Sequence, residues 1–201
     1  MSSAPALINA ENIAKDYGKG AVLAGVSLGI LRGERIGIVG RNGGGKSTLL
    51  RILVGAEQPD SGRVSFLSGL SIGYLAQVDD FPPDASISQV IFGDTDIHAW
   101  ASDSHAREVL EGLFGSHRAS DFDRAIAGLS GGERRRVSLA KLLVSNHDII
   151  CLDEPTNHLD VEGVNWLAGY IKAERRIAVV VITHDRWFLD EVSDRTWEAV
   201  S

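Results

Sequence analysis

The sequence predicts an α/β fold built on a parallel sheet, and three observations carry that prediction. Short apolar strands alternate along the chain with segments whose apolar residues recur at helical spacing, the order that builds α/β cores. "DIICLDEP" and "IAVVVITHD" are almost continuously apolar up to their acids, as strands covered on both faces are. "RIGIVG" runs into a glycine-rich loop and then into "KSTLLRILVG", which gives a strand, a loop and a helix in succession.

Taken in order, residues 6–31 alternate short apolar stretches with turn residues and predict antiparallel strands with a hairpin near residues 18–20. After the strand, loop and helix of residues 35–55, "PDSG" at 59–62 reads as a turn and "RVSFLSGLSIGYLAQ" as one or two further strands. The character changes from about residue 80. Ser86 with Gln89 has the form of a capping box, and Val109, Leu110, Leu113 and Phe114 recur at helical spacing, so a small helical subdomain is expected over 80–140. In "LSGGERRR", Gly131 and Gly132 could make a turn and Ser130 could cap a helix whose arginines are solvated. Equally, the serine and the glycine amides could bind an anion at a helix start. The eight residues alone leave both readings open. "VSLAKLLV" continues as a helix, "VEGVNWLAGYIKAER" is an amphipathic helix with Asp160 placed to cap it, and "DRWFLDEV" reads as a final short helix.

Composition narrows the class of protein. A chain of 201 residues suffices for one substantial domain with its own core. The net charge of −7, from 27 acids against 20 bases, lacks the basic excess of a typical nucleic-acid binder. Cys151 is the single cysteine, which excludes an intrachain disulfide, and its apolar neighbours place it on a buried strand. The longest apolar runs are strand-sized, far short of the roughly 20 residues that span a bilayer. "MSSAPALINAEN" has no basic region followed by an apolar core. The expected compartment is the cytoplasm, without membrane insertion.

The chemistry begins at "GRNGGGKST", residues 40–48, which matches G-x-x-x-x-G-K-[ST] between an apolar strand and a helix. Gly40, Arg41, Asn42, Gly43, Gly44 and Gly45 supply a loop whose amides can curl around phosphate oxygens. Lys46 brings a positive charge to the β and γ phosphates, Ser47 a hydroxyl that can ligate magnesium, and Thr48 continues into the helix. Such a loop needs a carboxylate to hold the metal. Asp153 at the end of "IICLDEP" is the candidate, with Glu154 beside it to polarise an attacking water.

"GRNGGGKST", "YLAQ", "LSGGE", "LDEPTNHLD" and "ITHD" together resemble, in order and approximate spacing, the ATP-binding cassette family over nearly the whole chain. The resemblance implies a RecA-like P-loop NTPase core with an antiparallel β-subdomain and a helical subdomain, binding ATP and magnesium and hydrolysing ATP. By the same resemblance "LSGGE" is the signature motif, whose Ser130, Gly131 and Gly132 hold the γ-phosphate of an ATP bound to an opposite cassette. Gln77 is placed like the glutamine that senses magnesium and water, and His184 like the switch histidine at the γ-phosphate. Tyr17 corresponds to the aromatic that stacks on adenine, and Asp160 to the loop crossing the dimer interface. Arg136 matches a family arginine, whereas Arg134 and Arg135 match nothing fixed and are expected on the solvated helix surface.

"DEPTNHLD", "THDRWFLD" and the glutamate closing "LSGGE" resemble the ABC-F branch, whose members carry two cassettes in one chain and act on ribosomes in translation regulation or antibiotic resistance. That implies a second cassette, the ribosome and its RNA as partners, and a single cassette over 1–201 that forms the N-terminal part of a longer chain. The segment between Gln77 and Leu129 holds a helical subdomain but is shorter than the helical arm of many ABC-F first cassettes. The nucleotide-binding subunit of a membrane transporter shares every motif and is the alternative. A clamp that binds ATP without turnover is a third reading, against which Glu154 and His184 stand.

Overall fold

Strand pairing, more than any local preference, sorts this chain into two sheets. The structure is a computed structural model that describes residues 5–18, 20–78, 80–93, 102–115 and 119–198. The first sheet is antiparallel: β1 (Ile8–Asp16) lies between β2 (Ala21–Ile30) and β4 (Ser61–Phe66). β1 and β2 pair from Ile8 with Ile30 to Asp16 with Ala21, so the expected hairpin forms. Its tip residue 19 lies outside the described residues. The turn read over 59–62 is tighter than expected, since β4 already begins at Ser61.

The second sheet is wholly parallel, in the order β5 (Ile72–Leu75), β6 (Ile149–Asp153), β7 (Ala178–Ile182), β3 (Arg35–Val39) and β8 (Arg195–Glu198). Parallel neighbours need crossover connections, and these are the helices. β3 runs into α1 (Lys46–Leu53), while α5 (Val161–Ala173) links β6 to β7 and α6 (Arg186–Val192) links β7 to β8. The predicted α/β class is therefore the one observed. β8 is a strand the sequence reading omitted: "RTWE" is short and mostly exposed, and only its pairing with β3 at the sheet edge makes it one.

Successive side chains of a strand point to opposite faces, and the sheet buries both. Ile150 and Leu152 of β6, with Val179 and Val181 of β7, face one apolar cluster, which includes the helices of the helical subdomain. Ile149 and Cys151, with Ala178, Val180 and Ile182, face a second cluster shared with α1 and the antiparallel sheet. That two-sided burial is why these segments read as unbroken apolar runs. It also pushes the Cys151 thiol up to about 12, which keeps it protonated and inert.

The helical subdomain contains α2 (Ile87–Phe92), α3 (Ser104–Phe114) and α4 (Gly131–Val144), with two 3₁₀ turns at Ala119–Asp123 and Ile126–Gly128. Parts of the expected subdomain, 94–101 and 116–118, lie outside the described residues. The capping box at Ser86 and Gln89 forms as predicted. Asp160 caps α5 through the Gly163 amide.

Candidate functional site

A parallel sheet gathers the carboxyl ends of its strands along one edge, and loops leaving that edge meet over it. Register makes this concrete here: Ile182 stands opposite Asp153 on one side and Ile38 on the other, while Leu75 pairs with Leu152. Residues one or two beyond those positions are Gly40, Gln77, Glu154 and His184, so four distant segments are delivered to one place.

The loop of residues 40–45 turns sharply into α1. Gly45 caps that helix in the left-handed region at φ 80°, and a Cβ there would lie 2.6 Å from the Val22 carbonyl oxygen, so only glycine fits. The buried Lys46 ammonium donates to the carbonyls of Gly40 and Arg41, at 2.9 Å each, which fixes a positive charge inside the loop. Ser47 hydrogen-bonds the Asp153 carboxylate.

Asp153 is 1% exposed, and burial raises its pKa, opposed by the Ser47 hydrogen bond and the charges of Arg51, Arg135 and Lys46. Its Oδ1 is buried and finds no hydrogen-bond partner among the described residues. An orphaned buried carboxylate oxygen beside a serine hydroxyl is what a hard, oxygen-seeking cation such as magnesium fits. No cluster of three His, Cys, Asp or Glu stands ready for a metal among the described residues, so that cation would draw its other ligands from phosphate and water.

Glu154 follows directly, at φ 51°, a strained conformation for a residue with a side chain. Its amide donates to Ile182 (2.8 Å), its Oε2 accepts from the His184 amide (3.2 Å) and its Oε1 lies 3.2 Å from His184 Nε2. The buried carboxylate and the largely exposed imidazole thus form one unit at the rim.

These groups line a cavity of about 450 Å³. Around it stand Tyr17, Asn42, Gly43, Gly45, Lys46, Ser47, Thr48, Gln77, Asp153, Glu154 and His184, joined by Asn157, which the sequence reading had not singled out. Arg41 is reached through its carbonyl, while Gly40 lines an adjoining cavity with Lys46 and His184, and Gly44 faces away toward Leu23 and Trp197. Tyr17 is 51% exposed. Its hydroxyl donates to Glu57 and lies 3.4 Å from both Thr48 Oγ1 and Arg51 Nη2, and the hydrogen bond with Tyr17 is the leading cause that holds the Glu57 carboxyl below its usual range.

Ser130, Gly131 and Gly132 do not reach this cavity. Ser130 caps α4 in a capping box with Glu133, whose carboxylate accepts from the Ser130 amide and hydroxyl at 2.8 Å each. Ser130 as a helix cap is therefore the reading observed, and the helix start that it caps faces outward. Arg136 pairs with Asp160 and ties α4 to the segment after β6. Arg135 corrects the sequence reading. It is 2% exposed, and its guanidinium donates to the carbonyls of Ala76, Asp153 and Glu154 at 2.7, 2.6 and 2.8 Å. A run of three arginines reads as surface because the carbonyls that accept from the middle one lie 59 and 18–19 residues away in sequence.

Gly131 and Gly132 differ in what surrounds them. A Cβ on Gly132 would lie 2.8 Å from the His158 carbonyl oxygen, whereas one on Gly131 would sit 3.9 Å from the His158 ring, an ordinary contact. Gly132→Ala is expected to lower the melting temperature by several degrees, from strain of about 1–3 kcal/mol. Gly131→Ala should leave it unchanged. Calorimetric melting of both variants checks the difference.

The order in which these elements occur, and the groups they bring together, decide the family. The ABC transporter family matches residues 23–157. This chain belongs to that family of ATP-binding cassettes. Similar curated relatives include the energy-dependent translational throttle protein EttA of Mycobacterium tuberculosis, 33% identical over 92% of this chain and 39% of the relative. The tylosin resistance ATP-binding protein TlrC of Streptomyces fradiae is 35% identical over 92% of this chain and 41% of its own length. Among solved structures, an archaeal ribosome recycling factor aABCE1 in complex with the ribosomal stalk protein aP1 superimposes with a TM-score of 0.83 at 31% identity, over 98% of this chain and 38% of that one. The cassette spans about two fifths of the length of these relatives. Among the described residues no helix is long and apolar enough to cross a membrane.

Proposed function

We propose that this cassette binds and hydrolyses ATP with magnesium, closes on a second cassette while ATP is bound, and uses that cycle on the ribosome. The observation that carries the reading is the edge where Lys46, Asp153 and the Glu154–His184 pair converge, with the signature helix facing outward beside it.

Each residue then has a task. The amides of residues 40–48 and the Lys46 ammonium bind the phosphates, and Tyr17 offers its exposed ring to adenine. Ser47, Asp153 and Gln77 hold magnesium, which when bound neutralises charge on the β and γ phosphates. Glu154 accepts a proton from the water that attacks the γ phosphorus, while the bond to the bridging oxygen breaks and ADP leaves with the electron pair. His184, held by Glu154, and Lys46 stabilise the charge of the transferring group. Ser130, Gly131 and Gly132 serve the nucleotide of the opposite cassette.

The ribosome enters through the relatives. One is named for throttling translation, one for resistance to tylosin, and the solved structures include a ribosome recycling factor and a ribosome-bound Pelota and ABCE1. A cytoplasmic location follows from that client. The family description keeps a second reading, the ATP-binding subunit of a transporter. Phosphate release from ATP tests the chemistry: it is expected to need magnesium and to stop on addition of EDTA. Release that persists in EDTA contradicts the metal assignment, and no release at any chain concentration contradicts the ATPase.

A further inference from the structure

Burying a guanidinium is costly, and such a group is retained where it satisfies several acceptors at once. Arg135 satisfies acceptors on two separate strands. One nitrogen donates to the Ala76 carbonyl, directly before Gln77 and just past β5; another donates to the Asp153 and Glu154 carbonyls at the end of β6. The side chain rises from α4, within one turn of Gly131 and Gly132. A helix moves as a rigid body, so a displacement of its exposed N-terminus is carried to those three carbonyls, and a displacement of the carbonyls is carried back.

We propose that Arg135 is a positioning residue that couples the signature helix to the carboxylates and glutamine of its own chain's nucleotide site. The proposal rests on the composite-site reading above, in which residues 130–132 serve the opposite nucleotide. Arg135 then makes each site sense the other: engagement of the signature aligns Glu154 and Gln77 for hydrolysis, and ATP bound at home reorients the signature for engagement. The planar fork of arginine reaches carbonyls of both strands together, which a lysine ammonium, a compact point donor, cannot reproduce in full.

Two variants and two readouts test it in the 201-residue chain. In dilute, unpaired protein, MgATP is expected to slow amide exchange over residues 130–138 of the parent about tenfold, although these residues do not touch the home nucleotide. Arg135→Met should lose that response while residues 40–48 remain protected by MgATP, and Arg135→Lys should keep part of it. At concentrations where chains pair, Arg135→Met should bind MgATP within about threefold of the parent but turn over about a hundredfold more slowly, with Arg135→Lys between the two. A residue that merely supported the fold would lose nucleotide binding and turnover together, and lysine would restore both together. If Arg135→Met fails to fold, Arg135→Lys decides alone by the same split. Exchange responses and turnover equal to the parent's in the variants overturn the coupling. A parent that binds MgATP without hydrolysing it overturns the ATPase reading, while the exchange experiment still decides this one.

Discussion

Glu154→Gln is expected to bind MgATP as tightly as the parent and to lose about two to four orders of magnitude in turnover. The amide keeps the shape of the carboxylate and can still accept from the His184 amide, so the rim geometry survives. What disappears is the proposed base, and with it the carboxylate oxygen 3.2 Å from His184 Nε2. The strained backbone at φ 51° belongs to this position and is unchanged by the substitution. Single-turnover phosphate release and equilibrium binding on the same sample separate the two effects. Turnover like the parent's would remove Glu154 from the role of base and shift attention to Gln77 and His184.

Lys46→Ala is expected to weaken MgATP binding by about ten- to a hundredfold, the loss of charge-assisted hydrogen bonds from one ammonium. The effect has two parts. The phosphates lose the fixed positive charge of the loop, and the Gly40 and Arg41 carbonyls lose the donor that holds the loop closed. Titration calorimetry with MgATP measures the sum, and circular dichroism controls for folding. Equal affinities in the two forms would contradict the loop assignment.

Most of the fold was legible because its strands are buried on both faces. Ile149–Asp153 and Ala178–Ile182 advertise a parallel sheet through their composition alone, and the helices beside them show caps at Ser86 and Asp160. β8 escaped notice because its evidence is a partner strand rather than a pattern. The phosphate loop and the Asp153–Glu154 pair are local signals that residue chemistry explains unaided. Gln77 and His184 needed the resemblance to a family, since a lone glutamine after a strand and a lone histidine before a helix carry no pattern of their own. Arg135 defeated both approaches: its neighbours Arg134 and Arg136 set an expectation of solvated charge, and only the meeting of α4 with the ends of β5 and β6 reverses it. The Tyr17 hydroxyl network with Glu57 and Arg51 was hidden likewise, its members being brought together by the packing of α1 against the antiparallel sheet.

Ser130, Gly131 and Gly132 lie outside the cavity that Lys46 and Glu154 line, and in the function proposed above one cassette contains half of each hydrolytic site. The direct measurement is ATPase rate per chain across a wide dilution series, with equilibrium ATP binding and sedimentation on the same samples. Binding per chain is expected to stay nearly constant while specific activity rises as mass action drives pairing. Ser130→Arg, which places bulk and charge at the exposed helix start, should abolish the rise and leave binding intact. Full activity independent of concentration, in a chain shown by sedimentation to be monomeric, would contradict it.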